Sequence, residues 1–165
     1  MIYKFIKSIR AKLLVFLTHT LALPILKLIR KPERFPYTSG ELHKFPSGSM
    51  GKALILYLEE RKLSLLPYYA KHDIKHILLD YDTTEEGEVC LQCFMLGNGH
   101  VSFPVLSTVL YGFFLMPEYW SLFLKAYQKG KKANKIYNWP WYQLLGLSLN
   151  DIKQNISSAE LSKPI

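Results

Sequence analysis

Apolar residues recur at steps of three and four positions along most of the chain, which is the spacing of one face of an α-helix. This pattern predicts helices over residues 52–66, 68–80, 84–96 and 117–137, with a short turn at 151–157. Residues 101–115 form an almost continuous apolar run, typical of a core helix or of a helix in contact with lipid. Strand alternation and internal repeats are not evident. The predicted fold class is therefore all-α, a single-domain helical bundle.

Glycine, proline and short polar residues mark the breaks between these helices. The run Gly97-Asn98-Gly99 ends the third helix, and the residues 32–51 predict an irregular connector. Residues 82–84 reverse the chain and provide N-cap residues for that third helix, and Glu85 stands in the capping-box position relative to Asp82. We therefore expect two antiparallel helices joined by this turn.

The first 34 residues are an apolar and strongly basic segment. They carry eight lysine and arginine residues against one glutamate, so +7 of the formal net charge of +8 lies there. We interpret residues 1–34 as a basic, amphipathic, membrane-associating segment, since cationic and apolar segments bind anionic lipid surfaces. Its first turns, residues 2–17, show the spacing of an amphipathic helix, which we interpret as an in-plane membrane anchor; an ordinary packed helix is the alternative. Nucleic acid is disfavoured as a partner, because its binders spread their basic residues over a polar face.

A membrane span is not predicted in this segment. Its longest uncharged run, residues 13–26, is too short to cross a bilayer of about 30 Å as a helix. The lysine-rich opening imitates a secretory signal, but no small-residue cleavage site is clear, so a cleaved signal is the alternative. We expect a peripheral membrane protein on the cytoplasmic face of a bacterial inner membrane or its equivalent.

A length of 165 residues and a hydrophobic share of 49% exclude a disordered or fibrous chain.

Three short motifs are interpreted as structural. Cys90 and Cys93 lack the second pair that a zinc site needs and the strand-to-helix context of a redox motif, which leaves two small apolar residues on a helix. Residues 48–52 imitate a phosphate-binding loop, but Ala53 stands where that motif needs serine or threonine. The lysines of residues 125–135 fit either a solvated helix end or a contact with phosphate or acidic lipid.

Acidic residues and histidines are concentrated in one short region. Six of the thirteen acidic residues lie between Asp73 and Glu88. His72 and His76 are four apart, so they stand one above the other on one helix face, which Asp73 borders. With a carboxylate from the next helix, for which Glu88 is at a suitable height, they would form a mixed nitrogen and oxygen site for a divalent metal such as zinc.

A histidine pair of this kind is a weak signal by itself, because on a helix it is more often capped or solvated than a metal ligand. The His-Asp phosphohydrolases also use an adjacent His-Asp pair. That superfamily needs a further upstream histidine and a downstream aspartate in matching contexts, and only Asp151 remains late in this chain.

The run from His72 to His76, followed after eleven residues by Glu88, resembles the signature of the coenzyme Q biosynthesis protein four family. Similar flanking segments are Gly48-Ser49-Met50-Gly51, Tyr81-Asp82-Thr83, Gly87-Glu88 with Leu91-Gln92 and Phe94, and Ala126, Gly130 and Ala133 with Trp141. The similarity runs over residues 45–156. The chain departs from the family pattern at Asp80, where glycine is usual, at Tyr142, where an acidic residue is usual, and in its Gly97-Asn98-Gly99 helix end.

The resemblance implies an α-helical protein of ubiquinone biosynthesis that lies on the membrane. It implies a divalent metal, most often taken as zinc, held by His72, Asp73, His76 and Glu88. It also implies metal-dependent oxidative decarboxylation of a polyprenylated aromatic ring. The alternative is a non-catalytic scaffold that binds prenyl lipid and organises other quinone-biosynthesis enzymes. A prenylated quinone precursor and the membrane surface are the expected partners, with a homodimer as a further candidate.

The lipid-binding residues are assigned from composition. The apolar run of residues 101–115 would hold the prenyl tail, through Phe103, Leu106, Leu110, Phe113 and Phe114. The expected organisation is thus a basic membrane-associating segment over residues 1–34 and a helical domain that binds metal and prenyl lipid over residues 35–160.

Overall fold

The computed structural model describes residues 33–157, and this part of the chain is helical with irregular connections. Its α-helices are α1 (Ser39–Leu42), α2 (Met50–Glu60), α3 (Ala70–Leu79), α4 (Glu85–Gly97), α5 (Phe103–Leu115), α6 (Trp120–Lys132) and α7 (Leu149–Ser157). Single 3-10 turns occupy Pro117–Tyr119 and Gln143–Gly146. Across residues 33–157 the one β-type contact is an isolated bridge between Ser49 and Ser148. The all-α prediction is confirmed.

The predicted N-terminal amphipathic helix lies outside the described residues, as does the basic segment of residues 1–34 except for its last two residues. That helix and the domain division at residue 35 therefore stay predictions. Within the described range, no helix is both long enough and apolar enough to cross a bilayer. The described residues divide into two compact groups of elements, one from Asp82 to Lys131 and one that combines Glu33–Tyr81 with the residues from 132 onward.

Of the three residues predicted to provide the N-cap of α4, it is Thr84 that does so. Thr84 has an extended backbone, and its hydroxyl accepts a hydrogen bond from the backbone N–H of Gly87 at 3.2 Å. The predicted capping box of Asp82 with Glu85 is therefore wrong, because the third helical residue is Gly87, which has no side chain to bond back. The predicted bounds of α3 and α4 agree with the structure to within two residues.

A capping box occurs instead at α1, inside the residues predicted to be an irregular connector. The Glu41 N–H donates to the Thr38 hydroxyl at 3.3 Å, and the Thr38 N–H donates to the Glu41 carboxylate at 2.7 Å. Hydrogen bonds from the Thr38 backbone and side chain also lower the pKa of Glu41. The pattern missed α1 because one turn is too short to show a period.

Two helices end earlier than the pattern predicted. α2 ends at Glu60 and not at residue 66, since Lys62 adopts a left-handed φ of 55° and Leu63 and Leu66 remain 47% and 48% exposed, with little burial to hold a longer helix. α6 ends at Lys132 and not at residue 137. There the backbone N–H of Asn134 donates to the carbonyl of Ile156 at 3.1 Å instead of continuing the helical ladder.

The group of elements from Asp82 to Lys131 is built on close backbone approach between α4 and α6. A Cβ at Gly97 would lie 2.1 Å from the Tyr127 carbonyl oxygen, and one at Gly130 would lie 2.1 Å from the Phe94 carbonyl oxygen. The buried amide of Asn98 donates to the Gly130 carbonyl at 3.2 Å. Only glycine permits these contacts, so the two helices meet through their backbones and bury Phe94 completely between their side chains.

In the second group, α3 packs between α2 and α7. Buried leucine and isoleucine side chains fill the space, among them Leu54, Leu58, Ile74 and Ile152, each at most 4% exposed. The carboxylate of Asp80, which ends α3, pairs with the ammonium of Lys153 on α7. The buried side chains and this ion pair therefore fix the position of the C-terminal end of α3 within its group of elements.

We predict that Gly97→Ala and Gly130→Ala each lower the free energy of unfolding by at least about 2 kcal/mol, because a methyl group would overlap a backbone carbonyl. Gly40→Ala is the matched control, since no atom lies within 4 Å of its Cβ position, and it should be neutral or stabilising by up to about 1 kcal/mol. Urea unfolding of the three variants measures this. Equal midpoints for Gly97→Ala and Gly40→Ala would contradict the close approach of the helices.

Candidate metal centre

His72 and His76 lie one turn apart on α3, as their spacing predicts. Their ring centroids are 4.6 Å apart, the ring planes meet at 84°, and the two Nε2 atoms are separated by 3.1 Å. His76 is 2% exposed, and His72 is half-buried. One ring nitrogen from each histidine therefore faces the same small volume.

The other ring nitrogen of His76 is held by the backbone. Its Nδ1 lies 2.8 Å from the Tyr81 carbonyl oxygen, which can only accept a hydrogen bond. Nδ1 therefore carries a proton, and in the neutral ring Nε2 presents a lone pair. Metal-binding histidines are commonly oriented by such a contact. Sequence reasoning missed it, because a backbone carbonyl carries no residue-type signal.

The conformation of Asp80 makes this contact possible. Asp80 follows α3 with φ 56° and ψ 41°, which is left-handed, and the chain then turns back toward His76. Aspartate tolerates this conformation better than most residues, although glycine adopts it at no steric cost. The departure from the family glycine at this position is thus compatible with the same turn, and the ion pair with Lys153 holds it.

Glu88 completes a group of three side chains that can bind a metal ion. It lies at the start of α4, where its N–H donates to the Thr84 carbonyl at 2.8 Å. One ligand atom from each of His72, His76 and Glu88 lies within 4.8 Å of the others. Ligands of a tetrahedral zinc ion, bound at about 2.0–2.2 Å, stand about 3.3–3.6 Å apart, so the three residues are a candidate group whose donors would have to draw closer to hold such an ion.

Asp73, the fourth ligand predicted from the sequence, is not a member of this group of three. It lies on α3 beside His72 and is half-buried. Its role as a ligand stays a prediction. The donor set of imidazole and carboxylate suits zinc and several other divalent metals, so the three residues do not select one metal.

The short distance between the histidines also has a metal-free explanation. With Nδ1 of His76 donating to Tyr81, Nε2 of His76 can accept a hydrogen bond from Nε2–H of His72. Glu88 adds a carboxylate to the two imidazoles, and this mixed nitrogen and oxygen donor set is one that a divalent metal binds.

Cys90 and Cys93 are buried free thiols on α4, so the structural interpretation of this pair is confirmed. Burial, with a smaller effect of Glu86, raises the pKa of Cys90 to about 11. Burial, with a smaller effect of Cys90, raises the pKa of Cys93 to about 12. Both thiols stay protonated at neutral pH, so neither is an activated nucleophile.

The residues assigned to lipid contact lie along one exposed side of α5, here called the apolar α5 face. Its members are 41% to 71% exposed and are Phe103, Leu106, Leu110, Phe113 and Phe114. The opposite side of the helix is buried through Val105, Thr108, Tyr111 and Gly112. The indole of Trp120 stacks on Phe113 at 5.0 Å between centroids and extends the face. The run of residues 101–115 is therefore core on one side and exposed and apolar on the other.

An all-α chain that gathers two imidazoles and a carboxylate in this way defines a candidate metalloprotein. The chain matches the family model described as Coenzyme Q (ubiquinone) biosynthesis protein Coq4 over residues 65–161, more than half of its length. It belongs to the Coq4 family, as the resemblance in the sequence indicated. Membership places the chain in ubiquinone biosynthesis, in the context of quinone precursors or of a biosynthetic complex.

Among solved structures, the fold is similar to that of a protein from Nostoc punctiforme that is provisionally named a ubiquinone biosynthesis protein. The TM-score is 0.58 at 20% sequence identity, and the match covers 94% of this chain and 82% of that chain. At this identity the likeness shows the fold alone. No curated protein sequence matches the chain.

We predict that the purified protein binds about one divalent metal ion per chain and that His76→Ala weakens zinc binding by at least about 100-fold. The control is His43→Ala, which removes an exposed histidine that pairs with Glu59 at 2.8 Å. Elemental analysis and competition with a chelating dye measure metal content and affinity. Equal metal content in the two variants would argue for a hydrogen-bonded histidine pair instead of a metal site.

Proposed function

We propose that this protein is a metal-dependent enzyme that oxidatively removes the carboxylate from a polyprenylated aromatic ring at the membrane surface. The convergence of His72, His76 and Glu88 in a member of the Coq4 family carries the proposal. In this reaction the bond between the ring carbon and the carboxylate breaks, and carbon dioxide leaves. A hydroxyl oxygen from dioxygen takes its place, while two electrons from an external donor reduce the other oxygen atom to water.

The ligand set supports a catalytic site over a closed structural one. Two imidazoles and one carboxylate are a three-residue set that leaves a coordination position for substrate. A divalent cation bound there, proposed to be zinc, would stabilise negative charge on the carboxylate and phenolate of the ring as a Lewis acid. With Nδ1 of His76 donating to the Tyr81 carbonyl, the neutral ring presents the lone pair of Nε2. Asp73 is proposed as an additional ligand, and a five-coordinate metal would still leave one position for substrate.

The apolar α5 face supports the membrane and prenyl-lipid part of the proposal. Large apolar side chains that remain exposed together on one helix are typical of lipid or protein contact surfaces. Lys125, Lys129 and Lys131 on α6 are exposed in the same group of elements and would meet anionic head groups. A peripheral position on the cytoplasmic membrane face, with the basic residues 1–34 as a second attachment, follows from this assignment.

We expect the purified, metal-loaded protein to release carbon dioxide from a carboxylated, prenylated phenol supplied in detergent with dioxygen and a reductant. His72→Ala and His76→Ala should abolish this release because each removes a metal ligand, while His43→Ala should retain it. Carbon dioxide from a carboxyl-labelled substrate and the hydroxylated product are measured together. Release of carbon dioxide at the wild-type rate by His76→Ala would exclude the proposed site.

A non-catalytic scaffold that presents prenyl lipid to partner enzymes is the second candidate, favoured by the exposed apolar α5 face. The same His76→Ala variant separates the two functions in cells that depend on this protein for quinone synthesis. A scaffold predicts that the variant still co-purifies with partner enzymes and still supports quinone synthesis. An enzyme predicts that it co-purifies and that a carboxylated, prenylated precursor accumulates.

Membrane attachment through the apolar α5 face has a test of its own. The double variant Leu106→Ser and Leu110→Ser should bind vesicles of mixed neutral and anionic phospholipid about 10- to 100-fold more weakly, because two partly inserted leucines lose burial. Leu63→Ser with Leu66→Ser is the control, since these leucines are exposed to a similar degree elsewhere. Co-sedimentation with vesicles measures the difference. Equal losses for the two double variants would show general loss of hydrophobicity and refute the assignment.

A further inference from the structure

Lys153 lies on α7 and pairs with the carboxylate of Asp80, which stands 73 positions earlier in the chain. The helix that carries Lys153 is fixed within its own group of elements. Its Ile152 and Ile156 side chains are each 4% exposed, and the Ile156 carbonyl accepts the N–H of Asn134 at 3.1 Å. The Lys153 ammonium is therefore held at one place beside the end of α3, although lysine is not itself one of the candidate metal ligands.

The backbone conformation of Asp80 is what this ion pair can stabilise. Within residues 33–157, Lys62 and Asp80 are the non-glycine residues with a positive φ. A left-handed backbone is disfavoured by about 5- to 30-fold in population for residues with a side chain, and aspartate tolerates it better than most. Any other backbone conformation would redirect the Asp80 side chain away from Lys153. The ion pair therefore stabilises the turned state of the chain and not an open one.

The turned state is also the state in which His76 is oriented. Tyr81 follows Asp80 directly, and its carbonyl oxygen lies 2.8 Å from Nδ1 of His76, a side chain that is 2% exposed. Without this acceptor, nothing keeps the proton of the neutral ring on Nδ1 in preference to Nε2, the nitrogen that lies 3.1 Å from Nε2 of His72. A protonated ring nitrogen cannot bind a metal. Zinc affinity is therefore expected to follow the population of the turned state.

We propose that Lys153 is a positioning residue for the candidate metal centre, acting through Asp80 and the Tyr81 carbonyl on the tautomer of His76. This inference rests on the metal site of the proposed function and is independent of the reaction proposed for it. It gives α7 a part in metal binding, although α7 supplies no candidate ligand. It also requires the effect of Lys153 to disappear in Asp80→Gly, because glycine adopts the left-handed backbone at no steric cost.

Zinc affinity of the full chain, measured by competition with a chelating dye, tests the proposal. Lys153→Met should bind zinc about 2- to 5-fold more weakly, the strength of a partly exposed ion pair, and Lys153→Arg should recover most of the affinity. Asp80→Ala should bind zinc about 5- to 30-fold more weakly than Asp80→Gly, because both lose the carboxylate and only alanine strains the turn. Adding Lys153→Met to Asp80→Gly should leave the affinity unchanged.

The matched control is Arg61→Met. The Arg61 side chain is 33% exposed and pairs with the Glu60 carboxylate at 3.0 Å, while that of Lys153 is 30% exposed, so the two basic residues are alike in exposure and in partner. Arg61 directly follows α2 and should have no effect on zinc affinity. An unchanged affinity in Lys153→Met, an equal loss in Arg61→Met, or the same effect of Lys153→Met with and without the Asp80 carboxylate would overturn the inference.

NMR of the metal-free protein with isotope-labelled histidine reads the tautomer of His76 directly. Wild type and Arg61→Met should carry the proton on Nδ1, and Lys153→Met should shift part of the population to Nε2. A lower melting temperature of Lys153→Met, with the tautomer and the zinc affinity of wild type, would show a purely structural ion pair and refute the positioning role.

The tautomer measurement also separates this inference from the proposed function, because it needs no metal. A wild type that binds no zinc would refute the proposed function, while the tautomer in Lys153→Met would still decide whether Lys153 positions His76. Zinc affinity that depends on Lys153, in a protein that releases no carbon dioxide, would support the positioning role and refute the proposed reaction.

Discussion

The hydrogen bond from Nδ1 of His76 to the Tyr81 carbonyl is the interaction on which the candidate site depends. A buried imidazole needs a partner for its N–H, and this partner sets which nitrogen is left to face His72. The partner exists because the chain turns sharply at Asp80 after α3. Orientation of the ligand pair is therefore a property of a backbone turn, and Lys153 on α7 stabilises that turn through its ion pair with Asp80.

The candidate site also depends on which metal-binding side chains α3 carries. Two imidazoles and a carboxylate are ligands that a divalent cation binds, and one ligand atom from each of His72, His76 and Glu88 lies within 4.8 Å of the others.

The group that contains α4, α5 and α6 shows how an apolar face stays exposed. Gly97 and Gly130 let α4 and α6 touch through their backbones, and Gly112 brings α5 against Val89 of α4. These close contacts bury the side of α5 that carries Gly112. The large apolar residues on its opposite side remain exposed. Large apolar side chains exposed together on one helix are unfavourable in water and are typical of contact surfaces.

Periodicity and residue type determined much of this protein in advance: the helical class, the bounds of α3 and α4, the stacking of His72 over His76, and family membership through the motif that ends at Glu88. These features are local, because they follow from 3.6 residues per turn and from side-chain chemistry. The early ends of α2 and α6 and the contact of His76 with Tyr81 were decided by the tertiary structure. Each depends on backbone groups or on burial against residues distant in sequence. At the end of α6, for example, the carbonyl of Ile156 accepts a hydrogen bond from the N–H of Asn134. Backbone carbonyls are identical at every position, so no pattern of side chains could reveal which of them would be used.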